Sequence, residues 1–390
     1  MKTVCEINKC NGCMACVSVC NKNCIKIIDS MENMNCIIDE KLCVNCNKCR
    51  SVCPNNKKNK KYRPLEWKQG WTTFNTRSLS SSGGVALAII SSFIQNGGYV
   101  ASCLFKDGEF IFELTNDQEM SKKFAGSKYV KSNPNGIYLK IKERLKTDKV
   151  LFIGLPCQVA AVNNYIKDKK NLYTIDLICH GTPSVKLLEK YIDEIGYDIN
   201  SLNDIKFREK NNFGLVINGK KVLREGVIDH YLCSFLESIN YTDNCYYCQF
   251  ATFERVSDIT LGDSWGTEYK EQQKKGISLI LTQTKKGKEI QEAAGLELKD
   301  IDIDKAISNN HQLSRPSELT AKRKKFFYLI NKGVDYKTTI FIDGIKIDSI
   351  YDLAWHVGKG VRTGGLFERE LSVQKALELA IKKNKRYENI

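Results

Sequence analysis

The sequence predicts an α+β / α/β chain in which a small cysteine-rich unit precedes a larger mixed α/β domain. Two observations carry that prediction. Eight cysteines between residues 10 and 53 repeat one spacing twice, and after residue 67 apolar runs of strand length alternate with runs of helical period. Such alternation builds parallel strands covered by helices. A chain of 390 residues buries a substantial core and holds two or three domains. Composition sets the boundaries: 1–56 for the cysteine-rich unit, 57–66 for a basic linker, 67–332 for the larger domain and 333–390 for a C-terminal extension.

The first motif is Cys10-x-x-Cys13-x-x-Cys16-x-x-x-Cys20, and the second is Cys43-x-x-Cys46-x-x-Cys49-x-x-x-Cys53, followed by Pro54. Three thiolates spaced in this way wrap one face of a cubane [4Fe-4S] core, and the fourth reaches across to the other core. One set is therefore Cys10, Cys13, Cys16 and Cys53, and the other is Cys43, Cys46, Cys49 and Cys20. The alternative is a pair of zinc knuckles, which usually use paired C-x-x-C units. The stretch resembles a bacterial two-cluster ferredoxin, with Asn21 rather than proline after Cys20. Residues 24–29 and 35–39 have the character of two short strands between the motifs. Cys5, Cys24 and Cys36 fall outside the spacing and are expected to be small buried hydrophobes.

Seventeen cysteines in a secreted chain would suggest disulfides. No leader is expected, because Met1-Lys2-Thr3-Val4 runs straight into the first motif. The longest apolar run, within 85–90, is far too short to cross a bilayer. A reducing cytoplasm suits exposed thiolates and clusters. The formal charge is +15, falling to about +11 with two clusters and about +9 with a third. This excess is spread along the chain without a nucleic-acid motif, so nucleic acid is not expected as a partner. An acidic electron carrier, ferredoxin or flavodoxin, fits the charge better, and an oligomer is compatible with it. Much of the basic surface, including residues 57–63, is expected to be solvated.

In the larger domain, Ser80-Ser-Ser-Gly-Gly84 opens an apolar helix over 85–95. A turn of this kind presents N–H groups and hydroxyls to an anion, though Ser-Gly turns also cap helices generally. Asp107-Gly108 marks a hairpin between 98–106 and 109–115. A polar loop over 124–132 carries Lys128 and Tyr129. A helix over 136–146 leads to a strand over 149–153, then to Cys157 in a helical first turn beside Pro156. The helix dipole there is expected to lower the thiol pKa. A strand over 172–178 ends at Cys179-His180-Gly181, with Pro183 beginning the next helix. If the two strands are parallel neighbours, both cysteines reach the sheet edge where such folds place ligands. Further helices are expected near 229–238, over 286–294 and over 318–332. Strands are expected from 258 and over 277–282. An amphipathic basic helix is expected over 373–385.

Cys157, Cys179, Cys245 and Cys248 form a candidate third set. A third [4Fe-4S] cluster, a zinc site, a redox pair at Cys245 and Cys248, and a Cys157 nucleophile with His180 as its base all fit the spacing. Stretches 80–84, 126–130, 154–158, 179–181, 245–248 and 258–266 occur in this order in one family. Over roughly residues 67–330 the chain resembles the beta subunit family of coenzyme F-420 hydrogenase/dehydrogenase. The resemblance implies a flavin-binding domain holding FAD and makes the four cysteines ligands of a third [4Fe-4S] cluster. It makes Ser82, Gly83, Gly84, Ser127, Lys128, Gly262 and Asp263 flavin contacts, with Lys128 compensating negative charge. Trp265 would shield the site, and His180 would donate to a cluster sulfur or relay protons. The implied function is an oxidoreductase that joins a low-potential donor such as ferredoxin to an organic substrate or deazaflavin. The alternative is an electron-relay subunit of a larger complex. Because the two-cluster unit is fused to this chain, a soluble carrier is expected to dock directly, and no residue specifies a deazaflavin pocket.

Overall fold

The duplicated cysteine spacing becomes a small duplicated unit in the computed structural model, which describes residues 2–224 and 227–342. Strands β1 (Lys2–Thr3), β2 (Ile25–Asp29) and β3 (Met34–Ile38) form an antiparallel sheet in the order β1-β3-β2. Each motif contributes one short helix, Ala15–Val19 or Lys48–Val52, entered through a left-handed residue, Met14 or Asn47, each at φ 58°. The two helices pack against each other.

The larger domain is organised by an eight-stranded sheet. Its strands are β4 (Glu66–Thr72), β5 (Tyr99–Lys106), β6 (Glu109–Thr115), β7 (Val150–Gly154), β8 (Leu172–Leu177), β12 (Ile259–Asp263), β13 (Ser278–Thr282) and β14 (Leu296–Asp300). They lie in the order β14-β4-β13-β12-β8-β7-β5-β6. The central run β5, β7, β8 and β12 is parallel, and antiparallel strands flank it. Buried apolar side chains alternate across β7 as its pleat requires. Leu151 and Ile153 join the helix Val85–Gln95 on one face. Val150 and Phe152 join the helices Ile137–Arg144 and Pro156–Tyr165 on the other.

The expected hairpin forms, with Asp107 and Gly108 both at positive φ. β7 and β8 are parallel neighbours, and Gly154 pairs with Asp176. A third sheet was not expected: β9 (Ile205–Glu209), β10 (Asn212–Ile217) and β11 (Lys220–Lys221). Its signal was Asn218-Gly219, a two-residue turn with positive φ at both positions.

Lys57, Lys58, Lys60 and Arg63 are exposed, but the segment is pinned. Tyr62 and Arg255 exchange backbone hydrogen bonds of 2.7 and 2.9 Å, and β4 already begins at Glu66. The extension after residue 332 starts inside the fold: Tyr336 is buried, and its hydroxyl lies 2.6 Å from Ser234 Oγ. The helix expected over 373–385 lies outside the described residues. Among the described residues no helix is long and apolar enough to cross a membrane.

The cysteine-rich unit is seated on the larger domain by specific contacts. Tyr138 Oη donates to Cys13 O at 2.6 Å, and Ser184 Oγ donates to Asp29 Oδ2 at 2.6 Å. Arg323, only 2% exposed, meets Glu32 at 3.0 Å and Asp243 at 2.7 Å, and it also donates to Tyr241 O. Replacing Arg323 with methionine strips the cation from both carboxylates. The expected loss is about 2–3 kcal/mol, less than for a fully buried pair because both acids keep some water. Faster tryptic cleavage within residues 57–63 would report the loosened seat, and unchanged cleavage would count against it.

Candidate metal centres and active-site cavity

The two cysteine motifs exchange their fourth members in space. One enclosed cavity is lined by Cys10, Cys13, Cys16 and Cys53. A second, of about 210 Å³, is lined by Cys20, Cys43, Cys46 and Cys49. The first set is buried, whereas Cys46 of the second is exposed. Left-handed turns aim backbone N–H groups at the sulfurs: Gly12 N–H donates to Cys10 Sγ and Asn45 N–H to Cys43 Sγ, each at 3.4 Å. Gly12 adopts φ 66°, which favours glycine, and a Cβ there would lie 2.6 Å from Met34 Sδ and 2.9 Å from Lys131 Cδ, so both flexible side chains would have to shift.

Cys5, Cys24 and Cys36 are buried, as expected, but they also line these cavities. Cys36 Sγ lies 3.1 Å from Cys16 Sγ, and Cys24 Sγ lies 3.4 Å from Cys20 Sγ. Among the described residues no two cysteines are joined by a disulfide. Among the described residues no three His, Cys, Asp or Glu side chains gather tightly enough to hold a single ion. A zinc site needs all its sulfurs about 2.3 Å from one point, whereas a polynuclear core spreads its thiolates around a cage. The donor sets therefore fit the core better than the ion.

The third set assembles at the ends of the parallel strands. β7 delivers Cys157 into the first turn of the helix Pro156–Tyr165, where Leu155 N–H donates to Gln158 Oε1 at 2.9 Å. β8 delivers Cys179. Gly181, at φ 147°, lets the chain pass over Tyr241, whose ring would lie 2.2 Å from a Cβ. Cys245 lies in the turn Asp243–Tyr247, with Cys248 just beyond it.

A buried ion pair fixes that loop: Arg255 Nη2 and Asp176 Oδ1 are 3.0 Å apart, with side chains 2% and 0% exposed. Arg255 also donates to Phe250 O, Thr252 O and Leu177 O.

Burial pushes the thiols of Cys157, Cys179 and Cys248 up, and the neighbouring sulfurs push further. The expected lowering at Cys157 does not occur, because losing water outweighs the helix dipole. Three thiols held back from ionising, gathered with Cys245, are a donor set that a cationic core would satisfy. Cys245 Sγ is already surrounded by donors: Thr182 N–H at 3.4 Å, Thr242 Oγ1 at 3.7 Å and Asn244 Nδ2 at 3.7 Å. Gln312 Nε2 lies 2.7 Å from His180 Nδ1, and burial pulls the pKa of that imidazole down to about 4, so the ring is neutral and keeps one N–H donor.

Cys179 and His180 also line a cavity of about 480 Å³ beside the ends of β7, β8 and β12. Ser82, Gly84, Ser127, Lys128, Gly262 and Asp263 line it. Gly83 instead sits beneath, donating to Ser278 Oγ at 3.1 Å and accepting from Thr72 N–H at 2.9 Å. Lys128 is not a free cation, because its Nζ donates to Phe124 O, Ala125 O and Gly126 O at 2.9–3.0 Å.

Residues 147–305 match the family model for the C terminus of the beta subunit of coenzyme F420 hydrogenase/dehydrogenase. Over these residues the chain is similar to that beta subunit family. An uncharacterized protein of Methanocaldococcus jannaschii is 24% identical over 325 residues, which are 72% of this chain and 85% of that protein. A chain in the F420-reducing [NiFe] hydrogenase complex of Methanosarcina barkeri is 18% identical, with a TM-score of 0.48, covering 69% of this chain and 95% of that one.

The stretch matched to the beta subunit family contains Arg208, a cavity cation that the sequence did not reveal. Its Nη2 lies 2.9 Å from both Asp263 oxygens and donates to Ser81 O at 3.1 Å. Its Nε is buried without a partner. Arg208 belongs to β9, in the unexpected sheet, and nothing in Ile-Lys-Phe-Arg-Glu distinguishes it from a surface arginine. Trp265 lines the cavity too, its ring 5.9 Å from the Arg208 guanidinium.

Replacing Arg255 with methionine leaves Asp176 as an unpaired buried charge, so stability should fall by about 3–5 kcal/mol. Pairing it with Asp176→Leu should recover much of that loss in denaturant titration. No recovery would mean that the guanidinium acts through the loop carbonyls rather than through the ion pair.

Proposed function

We propose that the chain is an iron–sulfur flavoprotein oxidoreductase connecting a low-potential carrier, ferredoxin or flavodoxin, to an organic substrate or deazaflavin coenzyme. The observation carrying this reading is continuity. Cys13 of the first set packs in one apolar cluster with Cys157 and Cys248, and Cys179 forms part of the wall of the 480 Å³ cavity. When filled, such sites supply one-electron iron–sulfur chemistry and two-electron flavin chemistry.

The remaining work belongs to the chain. Cys10, Cys13, Cys16 and Cys53 hold a buried core out of water, and Cys20, Cys43, Cys46 and Cys49 hold one at the surface. Cys157, Cys179, Cys245 and Cys248 hold a third. Ser82, Gly84, Ser127 and Gly262 give the cavity hydroxyls and backbone groups for FAD. The N-terminus of the helix Val85–Gln95 and Arg208 favour negative charge there. Neutral His180 gives the wall a group that can donate or accept a proton. The rim of the second cysteine cavity carries Lys2, Lys22, Lys48 and Arg50. With exposed Leu42 and Val44, it suits an acidic carrier.

A second reading, an electron-relay subunit with no substrate of its own, is favoured by the family's description as a beta subunit.

Chain purified without oxygen should hold about twelve irons and one FAD. Cys245→Ser should lose about four irons and keep the two N-terminal clusters spectroscopically intact. About eight irons without flavin in the wild type would overturn the reading. Turnover of an acceptor by the isolated chain with reduced ferredoxin would separate the enzyme from the relay subunit.

A further inference from the structure

Lys131 is a lysine in a place where a lysine is costly. It is 5% exposed, and among the described residues it has no carboxylate within ion-pair distance. Its backbone is tied down, with N–H donating to Pro183 O at 2.9 Å. The adjoining Ser132 accepts from Gln158 Nε2 at 3.0 Å, next to Cys157. From there the side chain runs to the first cysteine motif: Nζ lies 3.3 Å from Asn11 O, and Cδ fills the space that a Gly12 side chain would need. Asn244, beside Cys245, reaches the same Asn11 from the other side, its Nδ2 3.3 Å from Asn11 Oδ1. Lys131 thus occupies the junction between the first cysteine set and the third. Its charge acts on Cys157, pulling that thiol down against the effect of burial.

A buried ammonium without a counter-ion is strongly unfavourable, so its retention calls for an anion that the protein side chains do not provide. Resting on the three-cluster reading, the anion is to hand: a [4Fe-4S] core on four thiolates is about −2, and each added electron deepens that charge. We propose that Lys131 is the charge-compensating residue of the junction, raising the reduction potential of the core held by Cys157, Cys179, Cys245 and Cys248 so that electrons arriving from the ferredoxin unit settle on the cavity side. It is a positioning residue for charge. It touches no substrate.

The test is an anaerobic redox titration followed by electron paramagnetic resonance, with iron counted in each sample. Lys131→Gln keeps an N–H donor for Asn11 O and removes the charge, whereas Lys131→Arg keeps the charge. In Lys131→Gln, the signal that Cys245→Ser abolishes should move to lower potential. At a fixed potential its reduced-to-oxidised ratio should fall about tenfold, which is about 59 mV for one electron. Lys131→Arg should titrate close to the wild type.

Unchanged titration of fully loaded Lys131→Gln would overturn the proposal, as would an equal shift in Lys131→Arg. If the neutral variant fails to load the third site, Lys131→Met joins the comparison. Loss of about four irons in both neutral variants but not in Lys131→Arg supports the need for a cation, and loss in all three overturns it. A wild-type chain with only about eight irons would instead defeat the three-cluster reading itself.

Discussion

The guanidinium of Arg255, buried against Asp176, joins the parts that make the site. Removing two charges from water costs several kcal/mol for each ion, and the hydrogen bonds that converge on Asp176 Oδ1 and on the guanidinium offset that cost, while Asp176 Oδ2 is buried without a partner. Asp176 belongs to β8, shortly before Cys179, and also accepts from Thr260 Oγ1 of β12 at 2.7 Å. Arg255 closes the loop that follows Cys248 by binding its carbonyls, and its own backbone pairs with Tyr62 of the segment leading from the cysteine-rich unit. One ion pair thus sets the distance between two strand ends, a cysteine loop and the connection to the first domain.

A second constraint acts from outside the sheet. The cysteine-rich unit does not hang from a tether. Its first motif is pressed into the apolar layer formed by the helices Ile137–Arg144 and Pro156–Tyr165, and Cys13, Ala15 and Val52 are part of that layer. Burying the first cysteine set there leaves the second at the surface, among basic residues. The asymmetry gives the two sets, identical in spacing, different surroundings: one dry and close to Cys157, the other wet and open to a carrier. Exposure and nearby charge are the levers that separate otherwise equal iron–sulfur centres.

Local chemistry made much of this legible in the sequence. The cysteine spacing is a geometric statement about a cage, and the exchange of Cys20 and Cys53 follows from chain reach. The apolar runs at β7 and β8 read as buried parallel strands, and that placement brought Cys157 and Cys179 to one edge. What escaped depends on distant partners. Lys128 looked like a free cation, but the loop carbonyls of Phe124, Ala125 and Gly126 consume its donors. Gly83 looked like a ligand contact, but it is the close approach of a turn to β13. Arg208 had no local mark, because its partners Asp263 and Ser81 are far away in the chain. The Cys157 thiol was misjudged because a helix start is visible in sequence and burial is not.

Iron anomalous diffraction from crystals grown without oxygen tests the central claim most directly. Three separate iron sites are predicted: two in the cysteine-rich unit, and one among Cys157, Cys179, Cys245 and Cys248 at the ends of β7 and β8. Iron confined to the first unit, or a lone zinc ion at the third set, would contradict the account.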